Sequence, residues 1–565
     1  MINTVSAKWM TIAVVTLLMA TAIGRYGGAA DHYYYYYMLA NNPYLLPFDY
    51  VMNDNIIFKS SIFYFLNRTL KIEEGELLLL ALYFAISAFN LVIAYLILRR
   101  HVSVDRVTAL ALLLILGFVD RRINTNAWSL LFPVHPASSS MFGNIFALLS
   151  LYLLLERKIA LAFLAISGVV LFQVKENTVL ILAGLVYVAT LGRQSWLKGS
   201  YALLPVGYLL FKSLTGIHYD LPYDEMVEVL RRNIVIEGRD GSFLAHTPAA
   251  NFLLLGTIGL CFPLSRLFSE DLGRLMRAFA WATLAIYVSN VLYLTALWPL
   301  KPAPQLIFLG AVRNTRFVIF LFFVGAMAAI ALRSPLRSYE KVAAMLALIL
   351  VHGESWKGAL YPALVLAGGI GLPRLAMAAR PFRPALAWLD GIPWPAWAVP
   401  VFVLYAAGQV AAGGVYGNPV NPLAFEYTGR FSIAQRIDRA GWEALRRVRA
   451  MDGGGPLIVA FRAPDGSHKN STNAVIYAHK AQFNHTSTIG LHTRPDSAFF
   501  READWRSAVE AALLDDLNAE RPIAPATLEF LRRRGVWLLT PASSRRSLES
   551  YGRAEELGGY ILWRP

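Results

Sequence analysis

The chain has 565 residues, of which 56 % are hydrophobic and only 16 % charged, with a formal net charge of +15 and a mean hydropathy of +0.47. A soluble domain averages roughly 25 % charged residues, so a deficit of this size excludes a wholly water-exposed fold. The surplus Lys and Arg sit in short loops and not in an aromatic-interleaved basic run, which excludes a nucleic-acid-binding module. A single cysteine, Cys261, excludes an intramolecular disulfide and a Cys-rich metal centre.

A bilayer core of ~30 Å is crossed by ~20 apolar residues in a helix. Runs near that length recur at 9–24, 76–98, 104–119, 140–156, 159–173, 177–192, 197–213, 248–265, 275–299, 315–332, 340–352, 357–372 and 393–413, which predicts a polytopic α-helical membrane protein of about 13 spans. The first run is read as a retained helix and not as a cleaved leader, because many spans follow it. With Met1 cytoplasmic, alternate loops carry Arg99, Arg100 and Arg106, then Arg157 and Lys158, then Arg193 and Lys198. Later ones carry Arg266, Arg274 and Arg277, then Arg333, Arg337 and Lys341, then Arg374, Arg380 and Arg383. This is the positive-inside pattern. The long loops 25–75, 120–139, 214–247 and 300–314 then lie outside. The mixed-charge stretch from Asp224 to Asp240 reads as a solvated face or a lid over a site.

The character changes after the Gly/Pro/Asn stretch Gly413–Pro422, a predicted linker. Residues 1–413 form the transmembrane module and 414–565 a soluble unit, extracytoplasmic in this topology. The short apolar runs Pro456–Phe461, Ala474–Tyr477, Val536–Thr540 and Tyr560–Trp563 read as strands. The segments Glu426–Met451, 504–519 and 526–534 read as helices, so the expectation is a small α/β domain.

The first long loop opens Arg25-Tyr26-Gly27-Gly28-Ala29-Ala30-Asp31-His32 and continues with five tyrosines, Tyr33 to Tyr37. Asp31 follows the first span closely, within reach of a lipid headgroup. Tyr33 and Tyr34 suit either an interfacial aromatic belt or stacking on a sugar ring. The second outside loop carries Asp120-Arg121 and later His135-Pro136; His135 is a phosphate or acceptor contact, or a helix cap. Lys175-Glu176 falls between two closely spaced apolar runs, where charge is costly and tends to be functional, the alternative being a snorkelling turn. Arg313 and Arg316 stand at i and i+3 at the start of another span, on one helical face. No His-x-x-x-His spacing and no Gly-x-Ser-x-Gly elbow is present.

A first helix, a long outside loop opening with an acidic residue followed by Tyr-Tyr, 11–13 spans and a C-terminal soluble domain together resemble the GT-C superfamily of membrane glycosyltransferases. Its members include protein O-mannosyltransferases, lipid A aminoarabinose transferases and mycobacterial arabinofuranosyltransferases. The resemblance implies a catalytic role for Asp31 and makes Asp120 the matching second-loop acid. It also makes Arg313 and Arg316 the late basic residues facing the donor phosphate. Many family members carry an acidic pair where this chain has Asp31-His32, which leaves open whether His32 takes the second role.

The expected activity is transfer of a sugar from a polyprenyl-phosphate donor to an extracytoplasmic glycan, lipid or protein acceptor, with inversion. Asp31 is the general base, with His32 and Asp120 as the other catalytic candidates. Lys175, Arg313, Arg316 and His135 are the donor phosphate-binding candidates, and Tyr33, Tyr34, Glu176 and Arg121 the substrate-binding ones. No protein metal site is expected, although a divalent cation, magnesium or manganese, bridging the phosphate and Asp31 is compatible with the arrangement. The expected location is a bacterial inner membrane, with the N-terminus cytoplasmic and the C-terminal domain periplasmic. Two rivals are an O-antigen polymerase or ligase and a glycolipid transporter or flippase. The first needs a long late loop, which is absent here. The second favours mid-span charges and repeated halves, whereas these charges lie mostly at span ends.

Overall fold

The computed structural model describes residues 11–18, 76–119, 130–132, 139–172, 178–214, 247–292, 313–351, 356–378, 383–411, 439–453, 455–462, 468–470, 478–481 and 497–565, with a few isolated positions between them. Its first part is helical. Residues 11–18 form α1. There follow α2 (Glu76–Ile97, ending in a π-helical turn Leu98–Val102), α3 (Arg106–Phe118), α4 (Ser139–Leu155), α5 (Ile159–Phe172) and α6 (Thr178–Thr190). Next are α7 (Arg193–Gly199), α8 (Leu203–Leu214), α9 (Pro248–Leu264), α10 (Glu270–Leu292), α11 (Arg316–Leu332) and α12 (Ser338–Leu350). The series closes with α13 (Lys357–Leu366), α14 (Leu372–Ala378), α15 (Arg383–Gly391) and α16 (Trp394–Ala411).

Four described helical segments are long and apolar enough to cross a bilayer: Ala81–Val102, Pro248–Leu267, Glu270–Leu292 and Lys357–Met377. Shorter apolar helices, among them α3, α4, α5, α6 and α11, pack with them. This composition is compatible with a helical membrane protein. The run expected at 197–213 is instead α7 and α8 joined by a 3-10 turn, Ser200–Ala202. The helix α15 was not expected from apolar length, because Arg383, Pro384 and Asp390 punctuate it.

One continuous apolar core runs from Val14 to Phe402, with no member from α7, α13, α14 or α15 among the described residues. Close approach is bought by small residues at a few crossings: a Cβ on Gly184 would come within 3.3 Å of the Phe163 ring, and one on Gly325 within 2.8 Å of Met276. The polar ends of the helices sort into two groups. At one end, the π-turn after α2, the end of α4 and the start of α10 are tied by ion pairs. Arg100 Nη1 donates to Tyr152 Oη at 2.8 Å and to Glu156 Oε1 at 3.3 Å. Arg157 grips Asp271 through Nε and Nη2 at 3.0 and 2.8 Å, and Ser269 Oγ donates to the His101 carbonyl at 3.1 Å. These are residues of the loops expected to be basic and cytoplasmic. At the other end, Leu18 of α1 and Phe132 pack on Gly117, near the end of α3.

The C-terminal part contains α17 (Arg439–Arg449), β1 (Leu457–Arg462), β2 (His468–Asn470), α18 (Ser497–Asn518), α19 (Pro525–Arg533) and β3 (Trp537–Pro541). These are followed by a short helix α20 (Arg545–Leu548), β4 (Arg553–Leu557) and β5 (Tyr560–Arg564). The strands form one sheet in the order β2-β1-β3-β5-β4, with β1 and β3 parallel and the other pairs antiparallel. Period-2 alternation splits its side chains into two cores. Leu457, Val459, Leu539 and Leu562 face Leu445 and Val448 of α17. Ile458, Ala460, Leu538 and Ile561 face Leu513 and Leu517 of α18 and Leu528 and Leu531 of α19. Trp563, 2 % exposed, donates its indole N–H to Thr540 Oγ1 at 3.1 Å. This is an α/β layering of one sheet between helices; the run Ala474–Tyr477, also read as a strand, lies outside the described residues.

Glu502 fastens α18 to the end of α19. It accepts from Arg506 Nε at 2.8 Å and from Arg534 Nε and Nη2, both at 2.9 Å. Burial pushes its carboxyl up, but the Arg534 and Arg506 hydrogen bonds prevail and hold it below its ordinary value of 4.5. A carboxyl whose folded pKa lies below its unfolded one stabilises the fold above the unfolded pKa, and that stability is lost as pH falls through the folded one. Glu502→Gln is therefore expected to flatten the acid dependence of melting of the C-terminal unit below about pH 5, read by circular dichroism; an unchanged slope argues against the pairing. Leu538→Ala, in the sheet centre and 0 % exposed, is expected to remove about 2–5 kcal/mol of that unit's stability. A loss of under about 1 kcal/mol in denaturant titration is the contrary result.

Candidate functional site

Of the residues singled out from the sequence, Asp31, His32, Tyr33, Tyr34, Asp120, Arg121, His135, Lys175 and Glu176 lie outside the described residues. Arg313 opens a 3-10 turn, Arg313–Thr315, that leads directly into α11. Arg316 is the first residue of that helix and is fully described.

Arg316 is buried, 2 % exposed. Its Nη1 donates to Asn144 Oδ1 on α4 at 3.1 Å, and its guanidinium carbon stands 4.8 Å from the centre of the Phe317 ring. The neighbouring Asn314 is also fully buried, and its Oδ1 accepts the backbone N–H of Val179 at 3.2 Å. The first N–H groups of a helix have no partner within it. Here a side chain 135 positions away meets one of those of α6.

The turn and the first residue of α11 thereby bring three helix starts together, α4 through Asn144, α6 through Val179, and α11 itself. These are the helix starts that directly follow the segments expected to carry His135, Lys175 and Glu176. Asn90 of α2, also buried, donates from Nδ2 to the Leu131 carbonyl at 3.5 Å, so Leu131 is held to α2. Ser87 on α2 is buried too.

Chemically, this end of the bundle offers a fixed positive charge in apolar surroundings with amide groups around it. Such a charge is weakly screened and acts strongly on an anion nearby. Asn144, Asn314 and Asn90 were not found by sequence reasoning. The available signal was a lone amide inside an apolar run, as in Phe142-Gly143-Asn144-Ile145-Phe146. Among the described residues no three His, Cys, Asp or Glu side chains gather as a metal-ligand group.

A buried charge stripped of its partner is costly. Asn144→Ala is expected to lower the stability of the detergent-solubilised chain by about 1–3 kcal/mol. Arg316→Ala should cost a comparable amount, and the double variant much less than the sum, in a thermal-unfolding double-mutant cycle. Strict additivity would show that the two side chains do not support one another. No protein-family model, no curated protein and no solved structure matches this chain.

Proposed function

We propose that the chain is a GT-C-type membrane glycosyltransferase that moves a sugar from a polyprenyl-phosphate donor to an acceptor outside the cytoplasm, in a bacterial inner membrane. The observation that carries the reading is the buried Arg316 at the gathered starts of α4, α6 and α11, tied to Asn144. A lipid-borne phosphate at that end needs cations whose field is not quenched by water, and a guanidinium fixed among apolar side chains supplies one. The arrangement of the ends supports the orientation as well. The opposite end carries the ion pairs of Arg100 with Glu156 and Arg157 with Asp271, which suits a cytoplasmic face.

In the proposed reaction, Asp31 takes the proton of the acceptor hydroxyl as its oxygen attacks the anomeric carbon from the face opposite the phosphate. The bond from the anomeric carbon to the phosphate oxygen breaks, and the polyprenyl phosphate leaves with the electron pair. His32 and Asp120 are the assisting groups of the loops. Lys175 and Arg313, with His135, contact the leaving phosphate, and Arg316 stabilises its charge from inside the bundle wall. Tyr33, Tyr34, Arg121 and Glu176 contact the sugar and the acceptor. The soluble unit holds the acceptor glycan. The N-terminus is cytoplasmic and residues 414–565 are periplasmic in this reading.

The test is transfer from a polyprenyl-phosphate sugar donor pool by purified chain in liposomes. Asp31→Asn should lower turnover by about 10²–10⁴-fold with normal expression, the usual contribution of a general base. Arg316→Lys keeps the charge and should retain more activity than Arg316→Gln. Full activity in Asp31→Asn overturns the assignment of the base, and equal activity in the two Arg316 variants overturns the electrostatic role.

A further inference from the structure

At the ion-paired end of the bundle, α12, α14 and α15 enclose an open concavity of about 720 Å³ lined by Arg337, Met377, Arg383, Ala387, Asp390 and Gly391. Its acidic groups are largely occupied. Glu340, buried just behind it, takes Arg374 Nε at 2.7 Å and Nη2 at 3.0 Å, and also the Arg337 backbone N–H at 3.0 Å. Asp390 Oδ1 accepts the Ser338 backbone N–H at 3.2 Å, at the start of α12.

The two guanidinium groups are in the opposite condition. Arg337 Nη1 meets only the Met377 sulfur, a weak acceptor. Arg383 spends Nε on the Met377 carbonyl at 2.9 Å. Among the described residues no carboxylate pairs with either. An arginine presents five N–H donors, and two of them side by side match the oxygens of a phosphate.

The wall continues into apolar surface. Leu372 and Leu375 on α14 are 64 % and 72 % exposed, and Trp388 on α15 is 68 % exposed. Lys357–Met377 is itself a candidate membrane span, with little of its surface covered by the rest of the bundle. A tryptophan and leucines beside paired arginines is the composition of a membrane–water interface, with apolar surface for chains and cations for headgroups. We propose that this concavity binds the phosphate of an anionic phospholipid headgroup, with Arg337 and Arg383 on the phosphate oxygens and the lipid chains along α14. The site lies at the opposite end of the bundle from Arg316 and does not rest on the glycosyltransfer reading.

The experiment is native mass spectrometry of the full chain released from micelles containing equal phosphatidylglycerol and phosphatidylcholine. The wild-type chain is expected to retain phosphatidylglycerol preferentially. The double variant Arg337→Gln/Arg383→Gln should lose that preference by roughly tenfold or more, the scale of two interfacial cations. Arg333→Gln removes an exposed charge outside the concavity and should change it by less than about twofold. Ala387→Trp fills the concavity at constant charge and should act like the double variant; it decides the matter if the double variant does not fold, as judged by size exclusion and melting. Retention by the double variant or by a folded Ala387→Trp equal to that of wild type overturns the proposal. So does an equal loss in Arg333→Gln, which would mean a general surface field. Displacement of the lipid by millimolar glycerol phosphate would assign the site to a soluble phosphate instead.

Discussion

A cation inside an apolar bundle sets the terms for everything around it. Removing a guanidinium from water is opposed by several kcal/mol, even after relaxation. Asn144 provides Arg316 with an oriented acceptor from α4. That bond fixes the depth and rotation of α11 relative to α4. The adjacent Asn314 does the same for α6 through a backbone donor that would otherwise be unsatisfied. Two polar contacts from Asn314 and Arg316, two positions apart where the turn runs into α11, thus tie three helices together. Replacement by leucines would leave the packing density but remove the register.

The two ends of the bundle follow different electrostatic rules. At the Arg100–Glu156 and Arg157–Asp271 end the partners are charged and partly exposed, with Arg100 and Arg157 each 56 % exposed. Pairs of that kind contribute little to stability individually. Their service is to hold the ends of α4, α10 and the π-turn after α2 at one level. At the Arg316 end the charge is enclosed, and the neutral amide of Asn144 accepts one of its N–H donors. A neutral amide orients a guanidinium without cancelling its charge, whereas a carboxylate would quench it. A charge so enclosed is weakly screened by water.

Which parts of this were legible in the sequence follows from what each part depends on. The strands β1, β3 and β5 were readable because Leu457–Ala460, Leu538–Thr540 and Tyr560–Trp563 are buried on both faces and so form continuous apolar runs. The edge strand β4 was not, because Arg553, Glu555 and Glu556 alternate on an exposed border and make an apolar count useless. β2 is three residues, His468 to Asn470, with no apolar member. Apolar helices were legible from length and composition, and four of the described segments are long enough to cross a bilayer. Arg316 was found because two arginines at a span start stand out. Its partner Asn144 was not, since nothing local in the sequence marks a contact 172 positions away.

The C-terminal unit shows how far local pattern carries a fold once every level agrees. On the parallel pair β1 and β3, Leu457 aligns with Trp537 and Val459 with Leu539. Odd positions therefore face α17, and even ones face α18 and α19. The crossover from β1 to β3 runs through α18 and α19, helices that must cover the even face. A slip of one residue would send Leu457 and Val459 to the wrong layer and expose both cores at once. The register is closed from the other side by Trp563, whose indole reaches Thr540 across β3 and β5. The exposed charged edge of this sheet at β4 disfavours pairing with a second sheet.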